Sequence, residues 1–124
     1  SASEAGWRAV TPVVAAALQA GNGALAQAGV RLIPIGAPEW VPEGRRHRMA
    51  VMVEVFNREV ARMLIERAGE EIEVAVGLPD ARLAGLGRRQ RSAVQGLTAH
   101  ALAELIVNSA WPAIAHFRAT VRAS

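Results

Sequence analysis

Hydrophobic residues recur at helix-like steps along two long stretches of the chain. The first, residues 11–29, is uncharged and predicts a helix with Thr11 as its N-cap, Pro12 as its first residue and Gly29 as its end. The second, residues 45–69, places apolar residues three and four apart and predicts an amphipathic helix. The apolar face of this second helix consists of Met49, Val53, Phe56, Val60 and Met63 or Leu64.

The sequence also predicts a third helix and two loops. The helix is predicted from about residue 88 toward residue 108, and residues 36–44 and 77–87 are rich in Gly and Pro and predict loops. The Gly-Asn-Gly run at 21–23 can end or interrupt the first helix. The apolar face of the third helix consists of Val94, Leu97, Ala101, Leu102 and Leu105.

Three shorter stretches predict strands. Residues 30–36 are mostly apolar, and Pro34 indicates an edge or irregular strand because proline has no N–H to donate to a ladder. Residues 71–76 alternate glutamate with Ile and Val. Residues 113–122 also alternate and predict a closing strand, with Pro112 ending the preceding helix.

These elements predict an α/β or α+β fold in the order α–β–α–β–α–β. A strand, a long helix and a second strand usually form a parallel pair with a right-handed crossover, which predicts a small three-stranded sheet with helices packed on it. The length of 124 residues fits a single domain over 1–124. A mostly α-helical bundle is the alternative if Pro34 and Pro112 disrupt the strands.

Residues 25–51 and 65–94 resemble each other. “LAQAG” is followed by “IPIGAPE” and “GRRHRMAV”, and “IERAG” is followed in the same order by “VAVGLPD” and “GRRQRSAV”. We interpret these segments as a duplicated helix–strand–loop unit. Chance similarity in a chain rich in Ala and Arg is the alternative.

Composition narrows the function classes. The chain is 52% hydrophobic and has no cysteine, so it should fold without disulfides and has neither a thiolate metal site nor a cysteine nucleophile. This composition suits a soluble cytoplasmic protein. Residues 9–30 are uncharged, but they are too polar and too interrupted for a membrane span, so we expect a buried or oligomer-facing helix.

Charge gives the main candidate site. Net charge is +3, and all 14 basic residues besides histidine are arginine, whose planar guanidinium suits phosphate and carboxylate. Two clusters lie where helices are predicted to begin, which together with free backbone N–H groups predicts an anion receptor. Solvated helix ends neutralised by neighbouring acids are the alternative. The clusters consist of Arg45, Arg46 and Arg48, and of Arg88, Arg89 and Arg91.

Few residues are candidates for catalysis or metal binding. The three histidines form no metal-binding motif, so neither a metal nor a cofactor is predicted. Glu39 and Asp80 occupy equivalent loops and are candidates for an acid–base pair, although capping the following turn is the preferred interpretation.

The sequence therefore predicts a small oligomeric module that binds an anionic partner, with nucleic acid favoured over a small phosphate ligand. Trp40, beside the first cluster, is the candidate for stacking on a base. A structural protein that assembles into a homo-oligomer through its uncharged helix and sheet edges is the alternative. An enzyme acting on a small anionic substrate is the third possibility, and a non-enzyme is favoured.

Overall fold

The computed structural model describes residues 2–77 and 89–123, with the side chains of 4–77 and 89–122. In the sequence, one helix precedes the strands and the other follows them, so the described part of the chain has an α+β architecture. Its elements are helix α1 (Ala2–Leu25), a 3₁₀ turn (Ala26–Ala28), strand β1 (Val30–Val41), a second 3₁₀ turn (Pro42–Gly44), β2 (Arg46–Val55), β3 (Arg58–Ala68), β4 (Glu71–Gly77), β5 (Gln90–Ala93) and helix α2 (Ala99–Ala123).

The strands form one antiparallel sheet of five strands in the order β1-β2-β3-β4-β5. Helix α1 packs on β1 and β2, and α2 packs on β3 and β4, so both helices cover the same face. The predicted three-stranded sheet, its α–β–α–β–α–β order and its parallel pairing are therefore wrong, as is the helical bundle. The α+β class is confirmed.

The predicted second helix is a β-hairpin. β2 and β3 pair over their whole length, with Val51 opposite Met63, and Phe56 and Asn57 form the turn between them. Both turn residues have positive φ, 49° and 68°, as a type I′ turn requires. Val51, Val53 and their partners alternate inward, so a period of two was mistaken for a period near four.

The predicted closing strand is the second half of α2. Ala110, Ala113 and Ile114 are buried, and their spacing follows a helix rather than a strand. Pro112 lies inside the helix and is exposed, and Asn108, whose carbonyl loses its usual donor, is exposed to water as well.

Helix α1 begins nine residues before the predicted N-cap, at Ala2. Thr11 lies inside the helix, where its hydroxyl donates to the Trp7 carbonyl at 2.9 Å. α1 ends at Leu25, four residues before the predicted end, and Gly29, with a φ of 75°, caps the 3₁₀ turn that follows it. The Gly29 carbonyl accepts a 2.9 Å hydrogen bond from the N–H of Phe56, which ties the end of α1 to the β2–β3 turn.

The Gly-Asn-Gly run neither ends nor interrupts α1. A Cβ on Gly21 would lie 3.2 Å from the Leu32 side chain, so glycine lets α1 approach β1 closely. Asn22 forms two hydrogen bonds with the backbone of Leu32: its amide donates to the carbonyl at 3.1 Å, and its oxygen accepts from the N–H at 2.7 Å.

β1 is an edge strand, as Pro34 predicts. The strand continues beyond an irregularity between Ile35 and Glu39. Residues up to Val41 of the predicted loop 36–44 therefore belong to β1, and Glu39, Trp40 and Val41 pair with β2. β4 confirms the strand predicted over 71–76.

The two similar segments differ in structure. Segment 25–51 begins at the end of α1 and contains β1, whereas segment 65–94 begins inside β3 and contains β4 and β5. Within the described residues, the shared letters are therefore not accompanied by a shared helix–strand order.

The core lies between the helices and the inner face of the sheet. Alternate residues of each central strand point into it, and the residues between them form the outer face, which is half-buried. The largest fully buried side chains are those of Met63, Ile65, Ile72, Leu102, Ile106, Ile114, Val14, Val30, Val51, Val53, Val55 and Val74.

Candidate anion-binding cleft

The first arginine cluster does not begin a helix. Arg46 and Arg48 lie in β2 and point to the outer face of the sheet, where each meets a glutamate. Arg46 Nε lies 3.0 Å from Glu66 Oε2, and Arg48 Nη2 lies 3.0 Å from Glu39 Oε1. These two cations are therefore neutralised by carboxylates on neighbouring strands.

The second cluster is neutralised in the same way where it is described. Arg89 precedes β5 and Arg91 lies within it, and their guanidinium groups approach the two carboxylate oxygens of Glu73 at 3.3 and 3.7 Å. Neither residue lies at a helix N-terminus, so that prediction is wrong for both. Arg88 and Asp80 lie outside the described residues.

Arg45 differs from the other described members of the clusters. It follows the turn Pro42–Gly44 in the left-handed conformation, with a φ of 48°, and its N–H donates to the Pro42 carbonyl at 3.2 Å. Its guanidinium forms no ion pair with any described residue. Instead, the side chain lines a cleft of about 290 Å³. The described lining residues are Gly6, Trp40, Arg45, His47, Arg67, Gly69 and Glu70.

Arg67, near the end of β3, forms one wall of this cleft. Its Nη1 donates to the Gly6 carbonyl at 2.6 Å, and its Nε donates to the Gly69 carbonyl at 2.9 Å. Its nearest described carboxylate belongs to Glu70, at 3.8 Å, and the Glu70 side chain is 86% exposed. Solvent screens an ion pair at that distance, so Glu70 neutralises the Arg67 guanidinium only in part and the cleft wall remains positively charged.

Two aromatic rings, those of Trp40 and His47, line the adjoining wall, and Trp7 lies behind them in the core. His47 is buried on the inner face of β2, and its ring stacks on Trp7 of α1 at 5.8 Å with an interplanar angle of 17°. Trp40 is the cross-strand partner of His47, and these two rings lie 4.9 Å apart at 47°. Trp40 is therefore the outermost of these three rings, and it is 40% exposed.

The described lining of the cleft therefore combines two guanidinium groups and an imidazole with one carboxylate at the rim. Such an arrangement favours an anion, because guanidinium forks match the oxygens of phosphate and carboxylate. The described lining contains no hydroxyl or thiol nucleophile. Glu39, the other candidate acid, is held in its pair with Arg48 on the outer face.

Sequence reasoning identified Arg45 and Trp40 but missed Arg67. No local signal distinguishes Arg67, because its partners Gly6 and Gly69 approach it only in the folded chain. Among the described residues, no group of three or more His, Asp or Glu side chains is arranged to hold a metal ion.

No family model, curated protein or solved structure matches the chain. The interpretation of the cleft therefore rests on its own geometry and chemistry.

Proposed function

We propose that the protein is a binding module for an anionic ligand, and that the ligand carries a phosphate group as nucleic acids and phosphorylated small molecules do. The observation that carries this proposal is that Arg45 lines the cleft together with Arg67 and that its guanidinium has no described carboxylate partner. The other described cluster residues have such a partner, so their charge is not available to a ligand in the same way.

The surroundings of Arg45 strengthen its suitability for this role. The hydrogen bond to Pro42 holds the Arg45 backbone in place, so ligand binding does not have to supply the free energy of ordering that backbone. Arg67 is held by two carbonyls, which leaves N–H groups free for further hydrogen bonds without breaking an ion pair. Charge-assisted bonds to phosphate are about twice as strong as neutral ones.

The first test measures the binding of short labelled nucleic acids by fluorescence anisotropy over a salt series. We expect an affinity that falls as salt rises, because binding releases counterions. Arg45→Gln should weaken binding by about tenfold, which corresponds to roughly 1.4 kcal/mol for one lost charge-assisted contact.

Arg58→Gln is the matched control. It removes the same charge from an exposed arginine at the other end of β3, roughly 30 Å from Arg67 at about 3.3 Å per residue. Affinity should then change less than about twofold. Equal losses in both variants would indicate diffuse attraction by net charge, and no binding at low salt to any phosphate-bearing probe would refute the proposal.

Self-association is a second candidate function, favoured by the exposed side of α1. Residues 9–28 carry no charge, although Ala16, Ala20 and Ala24 are exposed. The segment Glu4–Ala28 is also long and apolar enough to cross a membrane, a criterion that core helices of soluble proteins meet as well. Because Val10 and Val14 pack in the core, we propose that a second copy, rather than lipid, covers this side.

A further inference from the structure

The cleft places a partly exposed aromatic ring beside its cations. Four large apolar side chains among the described residues are exposed, and Trp40 is the one of them that lines the cleft. One side of the Trp40 ring leans on His47, which in turn stacks on Trp7. The ring is thus supported from behind and held in place while 40% of the residue stays accessible.

An inorganic phosphate would use only part of this site. The cleft measures about 290 Å³, close to the lower end of the range of about 300–1,000 Å³ that is usual for organic ligands. A phosphate held by Arg45 and Arg67 would leave the Trp40 ring uncovered. A ligand that carries a planar aromatic group next to its phosphate would use both walls of the cleft.

We infer that the cleft binds a nucleotide unit, with its phosphate between Arg45 and Arg67 and its base stacked on Trp40. This inference rests on the proposed anion-binding function of the same cleft. The unit comes either from a free nucleotide or from a single strand of nucleic acid, because both offer a phosphate and an unpaired base. A duplex offers no free base face, since its bases are stacked on one another.

The position of Glu70 indicates how much negative charge the expected ligand carries. Its carboxylate stands at the rim, 3.8 Å from Arg67, and is 86% exposed. The described lining therefore has two cations and one exposed anion, which suits a monoanionic or dianionic phosphate better than a polyphosphate chain. We accordingly expect a monophosphate, or a single phosphodiester, to bind in preference to a triphosphate.

Isothermal titration calorimetry with three probes tests the inference. Adenosine 5′-monophosphate should bind roughly 5- to 150-fold more tightly than ribose 5-phosphate, because stacking on one aromatic side chain contributes about 1–3 kcal/mol per base. Trp40→Ala should remove most of this difference and leave ribose 5-phosphate binding nearly unchanged. Trp40→Phe should keep part of the difference, and Trp111→Ala, which removes an exposed tryptophan from α2, should leave it intact.

A decamer of deoxythymidine distinguishes the two sources of the nucleotide. Tighter binding by the decamer than by the mononucleotide, beyond the statistical factor of its repeated units, would assign the site to single-stranded nucleic acid. Equal binding per unit would assign it to a free nucleotide. Circular dichroism confirms that each variant is folded.

Failure of this inference and failure of the proposed function give different results. If ribose 5-phosphate and adenosine 5′-monophosphate bind equally, and Arg45→Gln weakens both, the cleft binds phosphate and the nucleotide inference is wrong. If no probe binds at low salt, both the inference and the proposed function are wrong.

Discussion

At the scale of single residues, Arg67 connects parts of the chain that are far apart in sequence. Its side chain is 16% exposed, and its two short hydrogen bonds go to carbonyls of α1 and of the β3–β4 turn. The Gly6 carbonyl lies in the first turns of α1, so Arg67 anchors the start of that helix to the end of the sheet. The same side chain supplies charge to the cleft.

Replacing Arg67 should therefore lower stability as well as anion binding. We expect Arg67→Gln to reduce the free energy of unfolding by about 3 kcal/mol, because two hydrogen bonds from a charged donor are lost. Urea denaturation followed by circular dichroism measures this change. The control Arg58→Gln, at an exposed position, should stay within about 0.5 kcal/mol of the parent chain. Similar small effects in both variants would mean that the Arg67 bonds contribute little.

At the scale of elements, Asn22 protects the edge of the sheet. β1 is a 12-residue edge strand, and an edge strand exposes N–H and C=O groups to which another chain can pair. Both backbone groups of Leu32 are instead bonded to the Asn22 side chain, which takes the place of a neighbouring strand. Pro34 removes a further donor from the same edge.

Asn22→Ala tests this arrangement. Leaving the two groups of Leu32 without a protein partner should cost about 2 kcal/mol, of which the better helix propensity of alanine recovers about 0.6 kcal/mol. We expect a net loss of about 1–2 kcal/mol and faster hydrogen exchange of the Leu32 amide, measured by NMR. Gln19→Ala, at an exposed position of the same helix, should change neither quantity. Unchanged exchange at Leu32 in the Asn22 variant would contradict the role.

Element type could be predicted where one face of an element is apolar and the other is not. β4 alternates glutamate with buried Ile72 and Val74, and it was predicted correctly. The hairpin β2–β3 misled the prediction because Met52 and Leu64, which point to the outer face, are apolar too. With both faces partly apolar, alternation is hidden, and every fourth residue of a strand also satisfies a helix period.

The turn between β2 and β3 gave no usable signal either. Phe56 and Asn57 replace the usual Asn-Gly or Asp-Gly pair, and a phenylalanine at positive φ is uncommon. The turn also depends on a residue far away in the sequence, because the Phe56 ring lies against Gly29, where an added Cβ would clash with it. A reading of local sequence cannot supply such a contact.

The candidate site was predictable only in its charge. Arginine clustering pointed to Arg45, but the same reasoning weighted Arg46 and Arg48 equally. Arg46 and Arg48 share the outer face of β2, where they meet glutamates on adjacent strands, whereas Arg45 lies in the turn before the strand. Once a strand replaces the predicted helix, charge pairing on the sheet follows from cross-strand geometry.

At the scale of the whole molecule, the charged surfaces and the uncharged surface lie in different places. The outer face of the sheet carries paired ions, the cleft at one sheet end carries the cations of Arg45 and Arg67, and the exposed side of α1 carries no charge from residue 9 onward. An anion site at one end and a neutral helix face elsewhere do not compete for the same surface. Self-association is therefore compatible with ligand binding and would present several clefts in one particle.

The exposed side of α1 allows this compatibility to be tested. A groove of about 240 Å³ lies between α1 and α2. It is lined by Ala20 and Ala24 of α1 and by His100, Ala103, Glu104, Val107 and Asn108 of α2, so its α1 side consists of small side chains. Small side chains let a further helix approach closely, so we expect a second copy to pack there. Ala20→Glu should raise the dissociation constant of self-association at least about tenfold, because burying one unpaired carboxylate costs more than about 1.4 kcal/mol.

Sedimentation velocity over a concentration series measures this constant, and Ala119→Glu, at an exposed position near the end of α2, is the matched control. Each variant should keep its affinity for the anionic probe, because neither residue lines the cleft. A parent chain that stays monomeric at about 100 µM, where association stronger than about 5.5 kcal/mol is visible, would contradict self-association. The uncharged side of α1 would then need a covering partner of another kind, whereas the anion-binding proposal would be unaffected.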